Sequence, residues 1–134
     1  MRQITDTIMM IKPSSFRYNE ETAANNHYQK RLDISHDLDI HSKAIYEFKS
    51  FVNKLKNKRV NIILIDDKCN SKTPDSIFPN NWVSFHKDGT VVLYPMFAEN
   101  RRQERRDDIL ALLVDSYNFR INKVKDYTSF EDNS

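Results

Sequence analysis

Apolar residues cluster along this chain in blocks whose internal spacing names the element each should form. Thr7 to Ile11 (TIMMI) is a short, nearly continuous apolar run closed by Lys12-Pro13, and it predicts a strand buried on both faces. Ser14 to Leu32 is polar, contains Asn25-Asn26 and keeps no period, so it reads as a long loop with room for one helical turn. Ordered loops of that length are uncommon without a function. From Asp39 to Lys58 the apolar residues are Ile40, Ala44, Ile45, Phe48, Phe51, Val52 and Leu55. Spacing in fours and threes predicts an amphipathic helix, and its lysine-rich end complements the helix dipole. Val60 to Ile65 (VNIILI) predicts a second buried strand.

The pattern then changes. Asp66 to Pro79 is a loop rich in Asp, Ser, Asn and Pro, followed by two short strands, Trp82 to Phe85 and Thr90 to Tyr94. They are joined through His86-Lys87-Asp88-Gly89, and Asp-Gly is a pair favoured in tight hairpin turns. An Arg-rich segment opens a helix whose buried side should carry Ile109, Leu110, Leu112, Leu113 and Tyr117, and Ile121 to Tyr127 suits a last strand. The predicted order is β-α-β, then β-β-α-β, a mixed α/β architecture. No internal repeat or low-complexity segment interrupts it.

Composition narrows the class. The chain has 134 residues, 39% hydrophobic and 30% charged, which describes one soluble globular domain at most. No apolar run approaches the about 18 residues of a membrane span, and the N-terminus lacks the features of a secretory signal. With one cysteine, Cys69, no intrachain disulfide framework can form, which fits a reducing, cytoplasmic setting. A net charge of +2 is too small to imply a nucleic-acid partner. Glycine is scarcer still: Gly89 stands alone where average usage gives roughly nine or ten. Phosphate-cradling loops need several glycines, so nucleotide-binding fingerprints are excluded. Turns must instead rely on Asn, Asp, Ser and Pro.

The candidate chemistry sits mainly between Pro74 and Arg106. Cys69 has Asp66 and Asp67 nearby, which disfavour a thiolate, and no histidine follows at a useful spacing. His27, His36, His41 and His86 show no metal-ligand spacing, so neither a metal nor a cofactor is expected. Arg101, Arg102, Arg105 and Arg106 are interleaved with Glu99, Glu104, Asp107 and Asp108. They read either as a solvated, charge-balanced first helical turn or as a cluster with one Arg aimed at an anion such as a substrate carboxylate. Asp75, Asn80 and Asn81 lie on the loop entering the Trp82 strand, where Asn and Asp are ordinarily turn formers. Trp82 is expected in the core.

The run PDSIFPNNWVSFHKDGTVVLYPMFAENRRQERRDDIL resembles the amidinotransferase-type enzymes of the pentein superfamily, particularly the citrulline-utilisation hydrolase group. The opening MMIKP and the later TAANNHYQ are similar to that group's first strand and loop, although Lys12 stands where Arg is common. The resemblance implies an α/β propeller of β-β-α-β modules, about two of them present here. Relatives are more than twice as long and use a Cys nucleophile and a His general acid/base. In them the segment after Phe130-Glu131 begins LEGTGS, whereas here Asp132-Asn133-Ser134 follows. Residues 1–134 would then be an N-terminal, substrate-binding segment without catalytic residues, inactive alone. It would need the C-terminal half of the same fold as partner and be prone to self-association.

The resemblance also implies roles. Asp75 matches an acidic substrate-binding position, Asn80 and Asn81 match a Glu-Asp pair that holds a guanidinium, and Arg101 matches an Arg that pairs with the substrate carboxylate. The Asn pair departs from the pattern. A guanidinium has donors only and wants carboxylates, whereas neutral amides complement a neutral ureido group such as that of citrulline. The expected function is therefore binding for a C–N hydrolase of a ureido or guanidino amino acid. The alternative is a non-catalytic α/β binding or assembly module left after loss of the catalytic half. Nucleic-acid and membrane partners are not expected.

Overall fold

Strong sequence periodicity becomes regular structure where the chain can also satisfy its backbone. The computed structural model describes residues 5–24, 26, 37–68 and 72–131. They fall into two compact units, one through Ile77 and the other from Phe78 onward.

The first unit is a β-α-β element. Strand β1 (Thr7–Lys12) and strand β2 (Asn61–Asp66) pair in parallel, in register from Thr7 with Asn61 to Lys12 with Asp66. Parallel neighbours need a long crossover. Between them lie a single helical turn, α1 (Glu20–Ala23), and the long helix α2 (Asp37–Asn57). The expected helical turn in the polar loop is thus present, and α2 packs on β2.

The strands were expected to be buried on both faces, and they are not. Ile11, Ile63 and Ile65 are buried, but Ile8 and Leu64, which point to the other face, are exposed. One helical layer covers one face of a two-stranded sheet. The α2 stripe is narrower than expected for the same reason. Val52 is buried, whereas Phe51, rotated about 100° from it, is 53% exposed.

Helix α2 closes without glycine. Arg59 takes the left-handed conformation (φ 64°). Its N–H bonds to the Lys56 carbonyl at 2.9 Å and the Val60 N–H to the Leu55 carbonyl at 3.1 Å. These paired bonds satisfy carbonyls the helix end leaves open, at about 1–2 kcal/mol of backbone strain for a residue with a Cβ.

The second unit is the expected β-β-α-β module. Strand β3 (Val83–Phe85) pairs antiparallel with β4 (Thr90–Leu93), and β5 (Lys123–Asp126) joins β4 in parallel, giving the order β3-β4-β5. A short helix, α3 (Glu99–Arg102), and the longer α4 (Asp107–Tyr117) form the crossover. Gly89 makes the hairpin workable with φ 80°. The His86 N–H bonds to the Thr90 carbonyl at 2.9 Å, and the Asp88 carboxylate receives the Thr90 N–H at 2.9 Å. That bond holds the Asp88 carboxyl below its usual range. The Gly89 carbonyl also receives the Asn122 N–H at 2.8 Å, so the same turn sets where β5 begins.

The core of this unit contains Trp82, Val83, Val91, Val92, Met96, Ala98, Ile109 and Leu113. On α4 the buried pair is Ile109 and Leu113, one turn apart, while Leu112 and Tyr117 are exposed against expectation. The Arg-rich segment also differs from the sequence reading. Arg101 and Arg102 end α3, and Arg106 stands just before α4 without a side-chain capping bond, so the two pairs do not open one helix.

Candidate functional site

The loop entering the second unit is held from several sides. Pro79 occupies the first position of a 3-10 turn, Pro79–Asn81, where its missing N–H is not needed. The Trp82 N–H closes the turn on the Pro79 carbonyl at 3.0 Å and leads directly into β3. Trp82 is 1% exposed and belongs to the core, as expected. Its buried Nε1 has no hydrogen-bond partner among the described residues.

Arg101 reaches back to this turn. Nη1 donates to Asn81 Oδ1 at 2.9 Å and Nη2 to the Phe78 carbonyl at 3.2 Å. The other edge of the guanidinium is bidentate to Glu104, with Nε to Oε1 at 3.1 Å and Nη2 to Oε2 at 3.0 Å. The Glu104 side chain is 0% exposed and Arg101 12%. Charge-assisted forks of this kind are the stronger class of protein hydrogen bond. Arg101, expected to grip an external anion, therefore already carries an internal one. Asn81 and Arg101 are brought together; Asn80 sits beside Asn81, exposed on the same turn.

Asp75 belongs to the first unit and has its own network. Its Oδ2 accepts from Asn19 Nδ2 at 2.7 Å and from Thr22 Oγ1 at 3.4 Å. Asn19 is buried and also caps α1, accepting from the Glu21 N–H at 3.2 Å. Nearby in sequence, Asp67 Oδ2 receives the hydroxyls of Ser14 and Ser76, both at 2.6 Å. The acidic loop residues are thus braced by polar side chains from the segment after β1 and, at Asp67, also by Ser76 of their own loop.

The other three arginines of the cluster are paired as well. Arg105 is bidentate to Glu131, with Nη2 to Oε2 at 2.9 Å and Nη1 on Oε1. Arg102 Nε lies 3.6 Å from Glu131, whose Oε1 also accepts the Met96 N–H at 2.9 Å. The Arg105 guanidinium beside Glu131 holds its carboxyl below the usual range, against the opposing effect of burial. Arg106 pairs with Asp108 at 2.9 Å. The cluster is charge-balanced as expected, but its arginines are part-buried rather than solvated, and Glu131 from outside the cluster supplies part of the balance. Glu104 and Glu131 are the residues that sequence reasoning missed as partners. Glu104 was readable from its i,i+3 spacing to Arg101, whereas Glu131 is 26 residues from Arg105 and had no local signal.

Of the other candidates, Cys69, His27, His36 and Asn25 lie outside the described residues. His41 is on α2. His86 Nε2 is 3.0 Å from Ser84 Oγ, which in turn meets the Tyr94 hydroxyl at 2.8 Å. Among the described residues no group of three His, Cys, Asp or Glu side chains is arranged to hold a metal. No helix among them is long and apolar enough to cross a membrane.

Residues 12–134 match the sequence profile of the family described as eukaryotic N,N dimethylarginine dimethylhydrolase. The chain belongs to that family. Two solved structures are similar to this dimethylarginine dimethylhydrolase family member. One is a dimethylarginine dimethylaminohydrolase adduct with 4-chloro-2-hydroxymethylpyridine, with TM-score 0.55 and 19% identity over 90% of this chain and 39% of that one. Another is a DDAH mutant from Pseudomonas aeruginosa complexed with citrulline, with TM-score 0.54 and 19% identity over 90% of this chain and 40% of that one. At this identity the likeness establishes the fold: the chain carries part of the mixed α/β pentein fold, spanning about two-fifths of the structures it matches. No curated protein matches the sequence.

Proposed function

We propose that this chain forms the substrate-binding part of a C–N hydrolase of the dimethylarginine dimethylhydrolase family, acting on a guanidino or ureido amino acid and preferring the neutral ureido group. The observation that carries this reading is the 2.9 Å bond from Arg101 Nη1 to Asn81 Oδ1. Arginine has donors only, so it takes the carbonyl end of the amide. Asn81 is left presenting its Nδ2 hydrogens. Two donors complement a ureido carbonyl, whereas a guanidinium, also donors only, would oppose them. A citrulline-type substrate therefore fits better than an arginine-type one, in keeping with the resemblance to the citrulline-utilisation group. Within the second unit, Asn80 and Asn81 are the proposed ligand contacts, with Arg101 behind Asn81.

In the complete reaction a cysteine thiolate would attack the ureido or amidino carbon. The leaving amine would take a proton from a general acid, and water would then release the thiolate. We assign neither catalytic group to this chain, so no ammonia release from citrulline or arginine is expected from it alone. Release abolished by Cys69→Ala would reverse that assignment. The proposed partner is the remainder of the pentein fold, and exposed Phe97 and Phe130 support a unit that associates further, with itself if no other surface is offered.

Asn81→Asp tests the substrate reading. The carboxylate still accepts from Arg101 but removes both donors. L-citrulline binding, titrated by NMR against the chain complemented with the remainder of the fold, should weaken by about 1–3 kcal/mol while L-arginine binding gains. Equal losses for the two ligands would refute the ureido preference.

A further inference from the structure

An exposed asparagine amide can turn over in water at little cost, exchanging its carbonyl for its amino group. A site that selects ligands by the polarity of such an amide needs something to hold it. We infer that Glu104, a residue with no assigned role, is the positioning residue that fixes Asn81 and thereby makes the site select a carbonyl-bearing, neutral ureido ligand. This rests on the ureido reading above.

The argument is geometric. The guanidinium is a rigid planar fork, so holding one edge determines where the other points. Glu104 holds the Nε and Nη2 edge at 3.1 and 3.0 Å, and its side chain is fully buried. A buried carboxylate keeps its partner, because separation would leave an uncompensated charge. Nη1 then lies on the opposite edge and meets Asn81 Oδ1 at 2.9 Å. Nη2 also donates to the carbonyl of Phe78, the residue that precedes the turn carrying Asn81. Side chain and backbone of the turn are therefore referenced to the same plane. The relay runs Glu104, Arg101, Asn81, entirely within the second unit.

Glu104→Gln is the test, because it preserves shape but replaces one acceptor with a donor facing the fork. In the 15N-labelled chain, side-chain order parameters of Arg101 Nε and Asn81 Nδ2 should be near the rigid value of about 0.85 and fall below about 0.6 in the variant. The backbone amides of β3, β4 and β5 serve as the folding control. An Asn81 amide that stays ordered in a folded Glu104→Gln chain overturns the relay. If that variant loses the fold, Arg101→Lys gives the same readout at Asn81, since an ammonium keeps the charge without the fork.

Titration of the chain, complemented with the remainder of the fold, with L-citrulline and L-arginine separates the two claims. A citrulline preference that narrows at least fivefold in Glu104→Gln supports positioning for specificity. An unchanged preference overturns it even if Asn81 loosens. No citrulline preference in the unsubstituted chain refutes the ureido reading and with it the specificity role, while the order parameters still judge the relay itself.

Discussion

Among the described residues of the first unit, Asn19 and Thr22 donate to Asp75 and the hydroxyls of Ser14 and Ser76 to Asp67, all neutral donors. In the second unit the carboxylates of Glu104 and Glu131 are met by guanidinium forks. Both arrangements brace polar loops at the end of strands, but they fail differently. A bond from a neutral donor to a carboxylate contributes about 1.5–3 kcal/mol, and losing one such donor leaves the charge with its other donors. A buried fork is stronger while intact, yet removing one partner strands a charge. The second unit should therefore be more sensitive to single polar substitutions.

The sharpest way to break this contrast is Glu104→Ala. Arg101 loses its buried counterion, and the second unit should lose about 3–5 kcal/mol, read by hydrogen exchange on β3, β4 and β5. A loss under 1 kcal/mol would mean that Arg101 simply turns to water. Gly89→Ala probes the same unit through its backbone. A Cβ there would meet Asn122 Nδ2 at 2.7 Å and the Arg120 carbonyl at 2.9 Å, at a positive φ. The expected cost is about 1–3 kcal/mol, with amide protection in β5 reduced first, because the Gly89 carbonyl anchors that strand.

Asn19→Ala is the matching substitution in the first unit. It removes both the α1 cap and a donor to Asp75, for an expected loss of about 1–2 kcal/mol read on β1 and β2. A loss exceeding that of Glu104→Ala would invert the comparison.

Acid gives the smallest and most gradual effect. Glu131 is held below its usual range in the folded chain, so its contribution is complete above the ordinary glutamate value of about 4.3 and is lost as pH falls through the lowered one. The urea midpoint of the second unit should decline across that window, and Glu131→Gln should flatten part of the decline. Identical slopes in both proteins would show that Glu131 does not carry it.

Much of the local structure was legible. The helix from Asp39 to Lys58 is α2, the Asp88-Gly89 pair is the hairpin turn, and the β-β-α-β order is that of the second unit. Burial was read less well. Ile8, Leu64, Phe51, Leu112 and Tyr117 were assigned to the interior from periodicity, which says which side a residue is on but not how much covers that side. Asn81 and Arg101 were each identified as candidate ligand contacts but not as partners of one another, and the two glutamates that orient and neutralise the arginines were not identified.

The sequence by itself determined most of the elements, their order and the pentein-type kinship, because periodicity, turn residues and the long PDSIFPNNWVSFHKDGTVVLYP run are properties of neighbours along the chain. Only the tertiary structure decided what each charged group faces. Arg101 reads the same in sequence whether it awaits a ligand carboxylate or already holds Glu104, since a guanidinium's role depends on which acceptors folding places within about 3 Å of it. Folding chose Glu104 for one edge and Asn81 for the other.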